Sequence, residues 1–373
     1  MEQEFDSTER YQQEIEERDS LLWHCKAINQ GLENLDARSG ERAFWELIQN
    51  ARDLGDGSCK IRIELSDDSL VFYHRGKPFE FNSLMALVTQ NSSKDKPEAD
   101  VVGRYGTGFM TTHTFNEVVA VSGPFKAMRD KDILKGYVYI PDMILNRSLR
   151  HDIEAAIVEM RNEKNEVRKV HKYTPLYPSL EAMSEEQHWT KFRYNLRSEQ
   201  IPEVSKELKR VIKLLPFVMV INSEIEYVDL YDKDGRLHIQ RKRLGEHPIP
   251  LNCKEWHLVI DCLEIQDAQN RRLLSKHEIC SLQTRNEEGR SVDVIILPPY
   301  STECGGVEDI PSLFLSFPLL GTEQFGVNFI FHSKRFHPVE KRNNILLPKE
   351  VSSDFEIKKQ DENEAVLIEM MDA

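Results

Sequence analysis

Glu46-Leu47-Ile48-Gln49-Asn50-Ala51-Arg52-Asp53 is the stretch on which the reading of the whole chain turns. Glu46, Asn50 and Asp53 stand at i, i+4 and i+7, so three polar side chains stack on one face of a helix. Ala43, Phe44, Leu47, Ile48, Ala51 and Leu54 supply an apolar face suited to a core. A carboxylate and a carboxamide beside a core stripe cost stability unless something pairs with them. A bound cation, a water and a phosphate would be such partners. The same residues also suit the polar face of an ordinary surface helix.

Downstream, Gly103-Arg104-Tyr105-Gly106-Thr107-Gly108-Phe109 is a glycine-rich turn leading into a helical pattern from Thr107 to Phe115. Glycines let the backbone approach a phosphate and adopt positive φ. The N–H groups of a helix start then face the anion, aided by the helix dipole. The segment is not a Walker A loop, because no Gly-Lys-Ser/Thr follows. Nor is it a dinucleotide fingerprint, because a polar loop precedes it instead of a strand. Taken alone, it also fits a close-packed turn.

Together these pieces resemble the superfamily of gyrase, heat-shock chaperone, histidine-kinase and MutL ATPases (GHKL), whose nucleotide site is the Bergerat fold. The order is similar: an acidic-asparagine helix, a strand ending at a glycine turn, a polar lid, then a glycine-rich helix start. The resemblance implies that Glu46 is the general base and that Asn50 binds Mg²⁺, with Asp53 also near the nucleotide. It implies that Gly103, Arg104, Tyr105, Gly106, Thr107, Gly108 and Phe109 form the phosphate loop. Asn91-Ser-Ser-Lys94-Asp-Lys96 has the Ser/Lys-rich character of the lid, with Lys94 as a phosphate contact. Trp189-Thr190-Lys191-Phe192 resembles the final strand, whose threonine helps hold adenine. Within the superfamily the chain is most similar to the heat-shock-chaperone and sacsin branch.

One element departs from that pattern. The family has Asp-x-Gly-x-Gly after the second strand, and that aspartate accepts the adenine amino group. Here Leu70-Val-Phe-Tyr73 runs into His74-Arg75-Gly76-Lys77-Pro78-Phe79. Gly76 keeps the turn, His74 replaces the aspartate, and Pro78 stiffens the place of the second glycine. A neutral imidazole accepts one hydrogen bond, so His74 either takes the amino proton or points away. Adenine selectivity is thereby less secure than phosphate binding.

Composition bounds the rest. A chain of 373 residues predicts two domains, each large enough for its own core. Lys+Arg 49 against Asp+Glu 63 gives a net charge of −14, which argues against nonspecific binding to nucleic acid or anionic membrane and leaves room for a local basic patch. The longest apolar run, Leu214 to Ile221, is broken by Pro216 and falls short of the roughly twenty residues that span a bilayer. The acidic start, Met1-Glu-Gln-Glu-Phe-Asp, lacks a signal-peptide pattern. Cysteines 25, 59, 253, 262, 280 and 304 form no Cys-x-x-Cys pair and read as core fillers in a reducing cytoplasm. The histidines show no zinc spacing.

With the resemblance, the chain divides into an N-terminal helical extension (1–39), a region similar to the ATP-binding domain (40–198), a transducer-like domain (199–348) and an acidic tail or linker (349–373). The expected class is α+β: a Bergerat-type α/β sandwich followed by a β-rich α/β domain. In the extension, Ile15, Leu21, Leu22, Ile28, Leu32 and Leu35 form the expected buried set. Strands are expected at 59–65, 70–73, 117–122, 125–128, 134–140 and 190–196, with Gly123-Pro124 as a turn. A helix at 149–168 lies among them. Beyond 200, a helix at 204–215 precedes strands at 217–222, 224–231, 235–242, 256–263, 279–285, 291–297 and 325–332. Asp232-Lys-Asp-Gly235 is a hairpin turn.

The basic segment Lys334-Arg335 and Lys341-Arg342 reads as a solvated loop. The resemblance adds a second reading, in which Arg342, or else Arg335, reaches the γ-phosphate as a cationic finger. The activity implied is slow Mg-dependent ATP hydrolysis: Asn50 ligates the metal, the glycine loop holds the phosphates, and Glu46 activates water. The resemblance also implies transient homodimerisation on ATP binding, in a chaperone-like or switching role whose client is unspecified. Two other classes stay open. One is a nucleotide-gated binding module with little turnover. The other is a histidine kinase, for which only His24 lies upstream of the site helix.

Overall fold

In a computed structural model the chain forms two compact units, Met1–Glu207 and Leu208–Ala373. The structure describes residues 7–36, 38–55, 57–90, 108–127, 136–251, 254–286, 289–296, 310–325, 327–339, 343–347 and 354–371. Both units mix helices with predominantly antiparallel sheet, an α+β arrangement. The division falls after Glu207, inside a helix, and not at the 198/199 boundary expected from the sequence.

The first unit opens with α1 (Ser7–Glu33) and α2 (Ser39–Asp53), then the hairpin β1 (Cys59–Leu65) and β2 (Ser69–Arg75). After α3 (Phe81–Thr89) a short 3₁₀ helix, Phe109–Thr114, leads into β3 (Val118–Ala127) and β4 (Gly136–Asn146). Helix α4 (Ile153–Lys169) and the last strand of the unit, β5 (Trp189–Asn195), complete it. The strands lie in the order β1-β2-β5-β3-β4, each pair antiparallel. Residues directly opposite one another share a face, which puts Ile61, Ile63, Leu70, Phe72, Phe192, Tyr194, Val119 and Val121 on one buried surface. Helix α2 reaches this surface through Phe115: its ring lies 4.9 Å from Phe44 and 5.4 Å from Tyr194.

Two polar devices hold the other helices. Asp152 caps α4 by accepting from the Ala155 N–H at 3.1 Å. Arg147, at the end of β4, is buried against Glu163 of α4 (2.8 Å) and donates to the Val88 carbonyl of α3 (2.9 Å). Burial pushes the Glu163 carboxyl above its ordinary range, and the Arg147 guanidinium opposes that rise.

Several expectations are corrected in this unit. The strands expected at 117–122 and 125–128 are one, β3: its pairing with β4 shifts register between Val121 and Gly123, so Gly123-Pro124 is a bulge and not a turn. In α1, Leu21, Ile28 and Leu32 are buried with Cys25, but Ile15 is exposed.

The second unit contains the end of α5 (Ile201–Ile221), which runs through Pro216. Residues 217–222, expected as a strand, therefore belong to this helix up to Ile221. A short apolar run does not distinguish the two structures by periodicity, and here Val211, Leu215 and Val218 continue a helical stripe. Asn222, just past its end, donates to the carbonyls of Val218 (2.8 Å) and Ser316 (2.7 Å).

The following strands form a meander: β6 (Ile225–Asp232), β7 (Gly235–Leu251), β8 (Lys254–Asp267), β9 (Leu273–Asn286) and β10 (Gly289–Ile296). The predicted hairpin turn is present, with Asp232 Oδ1 accepting from the N–H groups of Asp234 (2.8 Å) and Gly235 (2.9 Å). Short strands β11 (Leu313–Leu315), β12 (Phe317–Pro318) and β13 (Phe329–His332) extend the sheet beyond β10, with β11 and β13 parallel.

The segment expected as an acidic tail is instead a docked helix, α6 (Asp354–Met371). Val366 and Met370, one turn apart, join Trp256, Val294, Leu313, Phe331 and Phe336 in a core. Buried Asn363 fastens it: Oδ1 accepts from the His337 N–H (2.7 Å), and Nδ2 donates to the carbonyls of His337 and Leu346 (both 2.9 Å). Among the described residues no helix is long and apolar enough to cross a membrane.

Replacing Asn363 tests this docking. Asn363→Ala removes these hydrogen bonds at a buried site and is expected to cost about 1–3 kcal/mol. Urea unfolding monitored through Trp256 would measure it, and a change below about 0.5 kcal/mol, the scale of a neutral surface substitution, would show that α6 is not fastened there.

Candidate functional site

Helix α2 carries the polar stripe on the face left over after its apolar residues are buried. Phe44, Leu47, Ile48 and Ala51 are inaccessible, whereas Glu46 and Asn50 are half-buried one turn apart. The Glu46 carboxylate lies directly against Gly108, the residue before the 3₁₀ helix: a β-carbon at 108 would overlap Oε2 and Cδ. Two residues singled out separately in the sequence therefore meet in space, and a side chain at the second would push the carboxylate from its present position. The Asn50 carboxamide makes no hydrogen bond among the described residues and presents a hard oxygen donor.

The C-terminal end of α2 is locked to the turn that follows β2. The Lys77 N–H donates to the Leu54 carbonyl at 2.8 Å, and a β-carbon on Gly76 would come within 2.5 Å of that same oxygen. Gly76 is thus required by close approach of two backbones. The chain then crosses to β3: the Phe79 N–H donates to the Pro124 carbonyl, and the Lys126 N–H to the Phe79 carbonyl, both at 2.8 Å.

His74 and Thr190, far apart in sequence, are direct cross-strand partners on β2 and β5, and both are buried. Gly123, at the β3 bulge, has φ +157° and lies where a β-carbon would come 3.0 Å from Thr190 Oγ1 and 3.2 Å from the Phe79 ring. The His74 imidazole stacks on Phe192, 6.2 Å between centroids and 17° between planes. It is 1% exposed, and neither ring nitrogen has a hydrogen-bond partner among the described residues. Burial without a partner pushes its pKa down to about 4, so the ring is neutral at pH 7. Leaving such a group unsatisfied costs about 1–3 kcal/mol.

Behind the site, His113 is buried and neutral, its pKa pushed down to about 3, first by burial and then by Arg147. The neutral ring accepts at Nε2 from Gln90 Nε2, 2.7 Å away. That contact joins the residue after α3 to the 3₁₀ helix.

The other expected site residues divide three ways. The Asp53 side chain is buried in an ion pair with its neighbour Arg52 (2.6 Å), so one carboxylate oxygen is already engaged. Phe109 turns its ring inward, 5.3 Å from Phe192 and 5.9 Å from His113, and serves the core beneath the site. The helix expected from Thr107 to Phe115 is the 3₁₀ helix that begins at Phe109. Arg335 is ion-paired with Glu369 of α6 (2.7 Å), inside its own unit. Lys94, Gly103, Arg104, Tyr105, Gly106, Thr107 and Arg342 lie outside the described residues.

Gly123, Phe79 and Phe192 line the same edge but were not expected there. A glycine inside a strand pattern signals a bulge or a close approach, and that signal at Gly123 was read as a turn. No protein-family profile matches the chain, and no curated protein matches it.

The buried histidines make stability depend on pH in a defined direction. Unfolded imidazoles protonate near pH 6.5, the folded His74 only near 4, so the unfolded state binds more protons between these values. Stability contributed in this way is complete above about pH 6.5 and is lost as pH falls toward about 4. His74→Phe should flatten the acid limb of a urea-midpoint profile; superimposable slopes for parent and variant would show that His74 titrates normally in the folded state.

Proposed function

We propose that the first unit is a Bergerat-type site that binds Mg-ATP and hydrolyses it slowly. The observation that carries this reading is the contact of Glu46 with Gly108. It sets a half-buried carboxylate against the last glycine of the Gly103–Gly108 sequence motif, beside the Asn50 carboxamide on the same helix face. The adjacency of His74 and Thr190 supports it from the other edge, since the family resemblance places the base-reading residues on those two strands.

Asn50 suits Mg²⁺ because hard cations take neutral and anionic oxygens and retain waters and phosphate oxygens for the remaining positions. When bound with nucleotide, the metal would neutralise charge on the phosphates. Glu46 accepts a proton from the attacking water and orients it toward the γ-phosphorus. Gly108 admits that carboxylate without a side chain intervening, and the Leu54–Lys77 hydrogen bond keeps α2 in register with the β2 edge. The β-rich second unit takes the place of a transducer in this reading. Arg335, engaged by Glu369, is a poor γ-phosphate finger unless α6 releases it. Arg342 remains the residue assigned to that role from the sequence.

Two substitutions separate chemistry from binding. Glu46→Ala should keep Mg-ATP binding and lower phosphate release by about a hundredfold or more, the scale of a general base. Equal turnover by variant and parent, in protein free of contaminating ATPase, would remove Glu46 from the mechanism. Asn50→Ala should weaken Mg-ATP binding in calorimetry while leaving the nucleotide-free melting temperature nearly unchanged. Unaltered affinity would make Asn50 a structural polar residue only.

A further inference from the structure

The edge that would receive the nucleotide base is built around an imidazole and not a carboxylate, and this changes what the edge can recognise. A carboxylate only accepts hydrogen bonds, so it welcomes an exocyclic amino group and repels a carbonyl oxygen. A neutral imidazole carries one N–H donor and one bare nitrogen acceptor. His74 has both nitrogens buried and unpartnered among the described residues. Its cross-strand neighbour Thr190 adds a hydroxyl, which also donates and accepts. No charged group is needed at this edge for either mode of pairing.

Resting on the nucleotide-binding reading above, we infer that His74 makes this site accept purine nucleoside triphosphates with either an amino or a keto group at C6, so that GTP is a ligand alongside ATP. With the proton on one ring nitrogen, the bare nitrogen takes the amino hydrogen of adenine. With the tautomer reversed, the N–H donates to the carbonyl oxygen of guanine. The Phe192 ring stacked on His74 holds the imidazole plane in both states, because a tautomer change moves a proton and not the ring. Gly123 keeps the space beside Thr190 clear, since a β-carbon there would press on Thr190 Oγ1 and the Phe79 ring. The His74 ring is nearly fully covered, so binding also shifts a neighbouring side chain, a common adjustment on complex formation.

The alternative is that His74 is a core histidine with no ligand. The two readings differ in the behaviour of an apolar replacement. His74→Phe removes both unpartnered nitrogens, so it should raise the nucleotide-free melting temperature. If His74 reads the base, the same change weakens both purine nucleotides.

The experiment is calorimetric titration of the full chain with Mg-ATP, Mg-GTP and Mg-CTP, for the parent and for His74→Asp, His74→Gln and His74→Phe. The parent should bind ATP and GTP within about a hundredfold of each other, the range left when a site has no dedicated rejecting contact. His74→Asp should lose GTP and keep ATP. His74→Gln, which retains one donor and one acceptor, should keep both and serves where the aspartate variant does not fold. His74→Phe should weaken both. A parent that prefers ATP by about ten-thousand-fold, the scale of a dedicated polar site, overturns the inference and leaves the nucleotide site standing. Unchanged affinities in His74→Phe do the same, and assign His74 to the core. A parent that binds none of the three overturns the nucleotide reading itself.

Discussion

The hydrogen bond from the Lys77 N–H to the Leu54 carbonyl is the joint on which the arrangement of the first unit depends. It ties the last turn of α2 to the turn leaving β2, and it works only because Gly76 has no β-carbon to strike that carbonyl. Through it the helix that carries Glu46 and Asn50 is held at a set height over the strand that carries His74. The apolar face of α2 supplies the force. Burying each of Phe44, Leu47 and Ile48 contributes about 1.5–3 kcal/mol, so the three together outweigh several-fold the net worth of the single hydrogen bond. Packing therefore seats the helix, and the hydrogen bond decides its register against the turn.

Helix α2 thus divides its labour between two faces. The buried face stabilises, while the remaining face holds polar groups close to a core at some cost. Glu46 faces a glycine, and His74 lies buried with two unpartnered nitrogens. A buried ring like that of His74 is poor for stability and useful for recognition, because a ligand that pairs with it regains the interactions that folding left unmade. Among the described residues, buried polar groups of the second unit such as Asn222 and Asn363 serve instead to fasten chain segments.

Much of the fold was legible in the sequence. The alternation in Cys59–Leu65 marks β1 at its observed limits, and the polar stripe beside an apolar face marks α2 as a helix. Legibility failed where a local signal has two meanings. Gly123-Pro124 is turn chemistry, yet pairing with β4 and the crossing of Phe79 absorb it as a bulge inside β3. The apolar run after Pro216 suits a strand or a helix, and packing chose the helix. The charge of the C-terminal segment concealed Val366 and Met370, which need only one thin stripe to dock.

The sequence by itself determined the residue chemistry: a carboxylate and a carboxamide one turn apart, a glycine-rich segment, and a histidine at the end of an apolar strand. It determined the periods that make α2 a helix and β1 and β2 strands, because side-chain direction follows backbone geometry locally. Only the tertiary structure decided which of these residues meet. Cross-strand register placed Thr190 beside His74, and the packing of α2 on the 3₁₀ helix placed Glu46 against Gly108. It also turned Phe109 into the core and engaged Asp53 and Arg335 in ion pairs. The physical reason is that contacts between distant segments are selected by how whole faces bury together, a sum over many residues that no short motif contains.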